Sequence, residues 1–309
     1  MSELLPTGSY PVMLTAFDAD RRLDPAALES LVDWYVDAGS AGLFTNSRSS
    51  EFEYLEPAER LELSRTVVRL SRGRVPVVAT GSLGRSAEED ADFILAMAET
   101  GVDAVVIITS HLGPREASES ELITRLEVVL DRTGEVDLGF YECPTPWKRL
   151  LSDRLYGFAA QSQRFTFVKD TSHDQSIMAR RVELAAGSRL RLFNAQTSSI
   201  IEGIALGTAG HSGISANLHP ELVAWLCDPA NADRPERQQV QDIVTMAEAM
   251  IGTGYPTSAK QYVAMARGLR LGTTSRMAPD GERDDHGLRP LQSLARSVQL
   301  IKERMGFND

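Results

Sequence analysis

Eight short apolar runs, each followed by a helical pattern, restrict what this chain can fold into more than any other feature. The runs are YPVMLTAF at 10–17, GLFT at 42–45, VPVVAT at 75–80 and VDAVVIIT at 102–109, then VDLGFY at 136–141, FTFVKD at 165–170, LRLFNA at 190–195 and GTAGHSGIS at 207–215. Their ends lie roughly 20–35 residues apart, the length of one strand plus one crossover helix. The apolar positions are consecutive rather than alternating, as in parallel strands covered on both faces. Helix punctuation fills the gaps. Asp24-Pro25 is an N-cap with proline at the first helical position; Leu28, Leu31, Val32 and Tyr35 then share one face, and Gly39 closes the helix. Ser86 with Glu89, and Ser118 with Glu121, form capping boxes. This alternation predicts an α/β fold, a (β/α)8 TIM barrel. The competing open, doubly wound sheet calls for GxGxxG after its first strand, where DADRRLDP stands instead.

After about residue 218 the strand signal stops, and ELVAWLCD, QVQDIVTMAEAMIG, SAKQYVAMARGL and LRPLQSLARSVQLIKERM read as helices. The expected organisation is a barrel carrying the active site over 1–224 and a C-terminal helical subdomain over 225–309. The polar stretch TTSRMAPDGERDD at 273–285 reads as a surface loop. No apolar run approaches the roughly 18–20 residues of a membrane span, and MSELLPTGSYPV lacks the basic start and apolar core of a signal peptide. A cytoplasmic protein without a membrane partner is expected. The net charge of -11, from 43 acidic and 32 basic residues with no basic block, argues against nucleic acid as a partner. Cys143 and Cys227 show no CxxC spacing, the five histidines are scattered, and HExxH and GxxxxGK[ST] are absent, so neither a metal nor another cofactor is expected.

In such a barrel the chemistry sits at the C-terminal ends of the strands. The sixth run ends in Lys169-Asp170. A lysine there points into the barrel mouth, where desolvation lowers its pKa and frees a nucleophilic amine for ketones and aldehydes. The same position also suits a lysine that reaches the rim or pairs with Asp170. The chain has only four lysines, at 148, 169, 260 and 302. Arginine codon bias accounts for most of that; the remainder fits a chain keeping lysine where an ammonium must lose its proton. The fifth run places Tyr141 on the neighbouring strand at the same height, as a proton carrier or as a packed, hydrogen-bonded phenol. The second run ends in Asn46-Ser47-Arg48-Ser49-Ser50-Glu51, whose hydroxyls and guanidinium suit a carboxylate.

These motifs resemble the dihydrodipicolinate synthase/N-acetylneuraminate lyase family over nearly the whole chain. Val168-Lys169-Asp170 matches the family's Schiff-base lysine motif, and Tyr141-Glu142-Cys143-Pro144 its Tyr-Asn-x-Pro motif with the catalytic tyrosine. GHSGISAN at 210–217, containing Ser212, resembles the glycine-rich end of strand eight; Lys260 and Leu288-Arg289-Pro290-Leu291 resemble C-terminal landmarks. The resemblance implies catalysis by Lys169 and Tyr141, and substrate contacts from Ser49 and Ser212; the guanidinium and hydroxyls of the loop itself add Arg48 and Ser50 as expected substrate contacts. It also implies a homo-oligomer built as a dimer of dimers.

Three departures bear on the reaction. The family's Gly-[Thr/Ser]-Thr-Gly-Glu loop becomes Ser47-Arg48-Ser49-Ser50-Glu51, without glycine. A tyrosine that the family often brings across the dimer interface corresponds to Leu112, beside His111, and both are expected to support the site from behind or at a subunit contact. The arginine that binds the aldehyde substrate's carboxylate in the synthases corresponds to Pro146, followed by Trp147, Lys148 and Arg149. The expectation is a Schiff-base lyase, an aldolase or dehydratase acting on pyruvate or another 2-oxo acid. The alternatives are a 4-hydroxy-tetrahydrodipicolinate synthase proper and a 2-oxo-acid-binding barrel without turnover.

Overall fold

A computed structural model describes residues 4–307. Its eight strands are β1 (Gly8–Ser9), β2 (Leu43–Thr45), β3 (Val77–Thr80), β4 (Ala104–Ile108), β5 (Leu138–Tyr141), β6 (Phe165–Asp170), β7 (Arg191–Asn194) and β8 (Gly210–His211). All pair in parallel in the order β1-β8-β7-β6-β5-β4-β3-β2. The circle closes where Phe44 N–H donates to Pro11 O and Met13 N–H to Phe44 O, each at 3.0 Å. The helices between strands are α1 (Pro25–Asp37), α2 (Pro57–Ser71), α3 (Ala87–Ala98), α4 (Glu119–Thr133), α5 (Asp153–Ser162), α6 (Gln175–Leu184) and α7 (Ile200–Ala205). After β8 come α8 (Pro220–Cys227), α9 (Arg237–Ile251), α10 (Thr257–Arg267) and α11 (Asp285–Met305). The chain is a (β/α)8 barrel followed by a C-terminal helical extension.

The expected caps are present: Asp24 accepts from Ala26 and Ala27, and both capping boxes form. The first strand is displaced from its run. β1 precedes it, because Pro11 has no N–H and interrupts the ladder; Val12 retains a single parallel bridge to Phe44. At the β8–β1 seam a side chain is impossible: a Cβ on Gly210 would lie 1.8 Å from Gly8 O.

The barrel interior is filled by Tyr10, Val12, Phe44, Val78, Val106, Phe167 and Phe193. Phe193 packs on Tyr10 at 4.5 Å and on Phe167 at 4.7 Å between ring centroids, and Phe44 stands edge-on to Tyr141 at 5.7 Å. This aromatic stack is the floor of the site. Residue 224, the expected end of the barrel unit, lies within α8, and one hydrophobic cluster joins Leu31 and Leu222 to Val244, Tyr262 and Leu291. The C-terminal helices thus share a core with the barrel, which holds their loops against its mouth.

Candidate active site

Strand register brings the two central residues together. Tyr141 pairs with Lys169 across β5 and β6, and Lys169 Nζ lies 5.1 Å from the phenol ring centroid. Lys169 is 5% exposed and donates to Ser212 O at 2.6 Å. Burial lowers its pKa from 10.5 to about 8, against the opposing pull of Glu248. Burial likewise raises the Tyr141 phenol well above its ordinary range. Asp170 does not pair with Lys169. It turns outward to Arg181 of α6, which also donates to Glu142 Oε1 at 2.5 Å and Oε2 at 3.1 Å. Glu142 further accepts from Leu151 N–H at 2.8 Å and Thr171 N–H at 3.0 Å. One buried guanidinium therefore clasps the ends of both strands, one residue beyond Tyr141 and one beyond Lys169.

The loop after β2 holds its shape without glycine. Asn46 and Glu51 both adopt left-handed backbone, at φ 52° and 61°. Asn46 Nδ2 donates to Arg60 O at 2.8 Å and Ser64 Oγ at 2.7 Å. Glu51 accepts from Lys260 at 2.6 Å, Ser275 Oγ at 2.8 Å, Arg276 N–H at 2.7 Å and Met277 N–H at 2.9 Å. The stretch expected as a surface loop is thus drawn inward at 275–277, and Met277 reaches the cavity.

Lys169 and Tyr141 line an inner cavity of about 220 Å³ with Arg48, Ser49, Lys148, Thr171, His173, Glu248 and Tyr255. It adjoins an outer vestibule of about 640 Å³, which Arg48, His173, Glu248 and Tyr255 also line, together with Gln196, Thr197, Ser198 and Thr245. Arg48 is loosely held, 3.7 Å from Glu53. Lys148 donates to Thr171 O, and Glu248 accepts from Thr197. Burial raises the Glu248 pKa and lowers that of His173. Among the described residues no group of three or more His, Cys, Asp or Glu could hold a metal ion.

The expected residues divide accordingly. Lys169, Tyr141, Ser49 and Arg48 share the cavity. Ser50 does not line it; its hydroxyl donates to Met13 O at 2.7 Å and braces the loop. Ser212 contributes its carbonyl to Lys169, while its hydroxyl is buried without a partner. His111 bonds Ser82 Oγ at 2.9 Å and lines a separate surface cleft with Pro146 and Trp147. Leu112 is 3% exposed, packed among Leu122, Leu126 and Leu151 inside its own subunit, so it is not a surface on which a partner docks. Tyr255 and Glu248 were not anticipated. Glu248 comes from α9 and Tyr255 from the turn between α9 and α10, where only Gly-Tyr-Pro at 254–256 marks the region as irregular.

The dihydrodipicolinate synthetase family model matches residues 5–288. An uncharacterised DapA-like lyase of Halobacterium salinarum is 29% identical over 268 residues, covering 86% of each chain. Two solved structures share the fold. A catalytic lysine mutant of Ruminococcus gnavus sialic acid aldolase superposes with a TM-score of 0.84 at 19% identity, over 98% of this chain and 99% of that one. YagE, a prophage protein of Escherichia coli K12 in complex with pyruvate, gives 0.82 at 22% identity, over 95% and 99%. No described helix is long and apolar enough to cross a membrane. The match across nearly the whole chain shows that it belongs to the dihydrodipicolinate synthetase family.

Proposed function

We propose that this dihydrodipicolinate synthase-like lyase works through a Schiff base between Lys169 and a 2-oxo acid that carries a second acidic group. The observation behind this reading is a buried lysine amine in a cavity, flanked by a phenol, whose desolvation raises the neutral fraction above that of an ordinary lysine. A neutral amine attacks the ketone carbon, and the phenol hands a proton to the departing oxygen. The pyruvate complex of YagE and the catalytic lysine of the sialic acid aldolase support the same chemistry.

The second acidic group follows from the cavity walls. Arg48 and Lys148 give two cations at the inner cavity, and Arg48 extends to the vestibule. Pro146 is not among the residues lining it and has no charge to offer the semialdehyde carboxylate of dihydrodipicolinate synthesis. The test is a comparison: condensation of pyruvate with aspartate semialdehyde, against cleavage and dehydration of 2-oxo-3-deoxy sugar acids. Arg48→Ala is expected to lower kcat/KM about 10- to 100-fold on the true substrate, the scale of one charged hydrogen bond. Efficient condensation with the semialdehyde, insensitive to Arg48→Ala, overturns the substrate assignment.

A further inference from the structure

A cleft of about 540 Å³ runs between α10 and α11, over the buried His219 that precedes α8, and shares no lining residue with the cavity at Lys169. Arg267 reaches His219 Nδ1 at 3.2 Å, and the Tyr262 hydroxyl lies 3.0 Å from His219 Nε2. Burial, with Arg267 and Lys302 nearby, pushes the His219 pKa well below its ordinary range, so the ring is neutral and carries one N–H. A guanidinium can only donate, so Nδ1 accepts and the N–H sits on Nε2, facing the Tyr262 oxygen. The Tyr262 proton then has no acceptor among the described residues. Arg267 Nε is also buried without a partner, although the same guanidinium donates to Glu221. Glu221 takes Arg267 and Lys302, the latter at 3.4 Å, on the single oxygen Oε1. At the exposed rim Arg296 adds a second guanidinium, which donates to Ser293 Oγ at 3.0 Å. In a chain of net charge -11, this cleft gathers donors that lack acceptors.

We propose that this cleft binds a small organic acid, its carboxylate held by Arg267, Arg296 and the Tyr262 hydroxyl and its apolar body lying between α10 and α11. A carboxylate is an acceptor with no proton of its own to place, which is what the orphaned donors lack, and two guanidiniums strengthen each bond through charge. The apolar body follows from the walls, where Met265 and Ala266 of α10 face Ala295 and Val298 of α11. Inorganic phosphate would satisfy the donors and leave those walls uncovered, and pyruvate would cover them with a single methyl group. The volume lies within the range of small-molecule sites and accommodates a body of ring size. Helix α10 also joins the cleft to the catalytic cavity: Lys260, two residues before Tyr262, holds Glu51 of the loop after β2 at 2.6 Å. A ligand seated on Tyr262 therefore touches the helix that braces that loop.

The experiment is a fluorine NMR titration of the full chain with 4-fluorophenylacetate, which joins a carboxylate to one ring. One saturable site per chain is expected, with an affinity that saturating pyruvate leaves unchanged. Arg296→Ala should weaken binding about 10-fold or more, the scale of one charged hydrogen bond, and should keep the wild-type melting temperature because Arg296 is exposed. Ala295→Phe fills the cleft without changing its charge and should remove the saturable site. The neutral 4-fluorophenylacetamide should bind about 10-fold more weakly than the acid. Absence of saturation at millimolar probe overturns the proposal, as does an affinity that neither substitution changes. Displacement by pyruvate would place the probe in the cavity at Lys169 and overturn it equally. Displacement by inorganic phosphate at the same concentration as the acid overturns the ligand class, since the apolar walls would then contribute nothing.

Discussion

The pH dependence of imine formation tests how burial prepares Lys169. Desolvation lowers its pKa from 10.5 to about 8. At pH 7 roughly a tenth of the amine is then neutral, against about 0.03% for an ordinary lysine, a gain of about 300-fold or ~3 kcal/mol in availability of the nucleophile. The sign follows from the protonation states: below about pH 8 the amine is mostly charged and unreactive, and above it mostly neutral. The assay mixes the protein with pyruvate from pH 6 to pH 10, quenches with borohydride at short times, and measures the adduct by mass. The initial rate should rise about tenfold per pH unit up to about 7.5 and level off above 8. Glu248→Gln should move the bend to lower pH, because the Glu248 carboxylate favours the charged amine. A rate still climbing steeply between pH 9 and pH 10 would show an ordinary lysine and refute the reasoning.

Other perturbations address the remaining parts. Tyr141→Phe should retain trapping at Lys169 while slowing turnover about 100-fold or more; unchanged turnover moves the proton transfer elsewhere, His111 being the next residue to substitute. Arg181→Met leaves Glu142 and Asp170 buried without their cation and should cost about 3–5 kcal/mol of stability at neutral pH, measured by urea unfolding. Burial already raises the Glu142 pKa, and removing Arg181 raises it further. The added penalty therefore grows as pH rises above the ordinary carboxylate range near 4.3 and fades below it; a deficit independent of pH contradicts this account. Sedimentation at micromolar concentration should show a tetramer or its constituent dimer, and monomer alone counts against the assembly implied by the family resemblance.

The barrel was legible because parallel strands buried on both faces must be apolar at consecutive positions. Six of the eight runs coincide with β2 through β7. The first run misled because apolarity does not register the N–H missing at Pro11. Tyr141 and Lys169 were legible for a topological reason: a polar residue ending a buried strand has only the barrel mouth to face. Asp170 shows the limit of that rule, since the next residue along points away, to Arg181 from α6. Tyr255, Glu248 and Met277 were hidden because they enter from helices and loops added after the barrel, where no periodicity says which turn folds back. Ser50 was placed by the hydroxyls of its loop and Leu112 by correspondence with relatives, and packing inside the subunit turned both from the cavity.

The central claim is that Lys169 is the nucleophile, and the most direct measurement is mapping of the borohydride-reduced adduct. The protein is incubated with pyruvate and then a panel of 2-oxo acids, reduced, digested and sequenced by mass spectrometry. The account predicts one reduced pyruvyl adduct per chain, on Lys169, and none on Lys148, although both lysines line the cavity. Unmodified protein across the whole panel, or an adduct on Lys148 in place of Lys169, would contradict it.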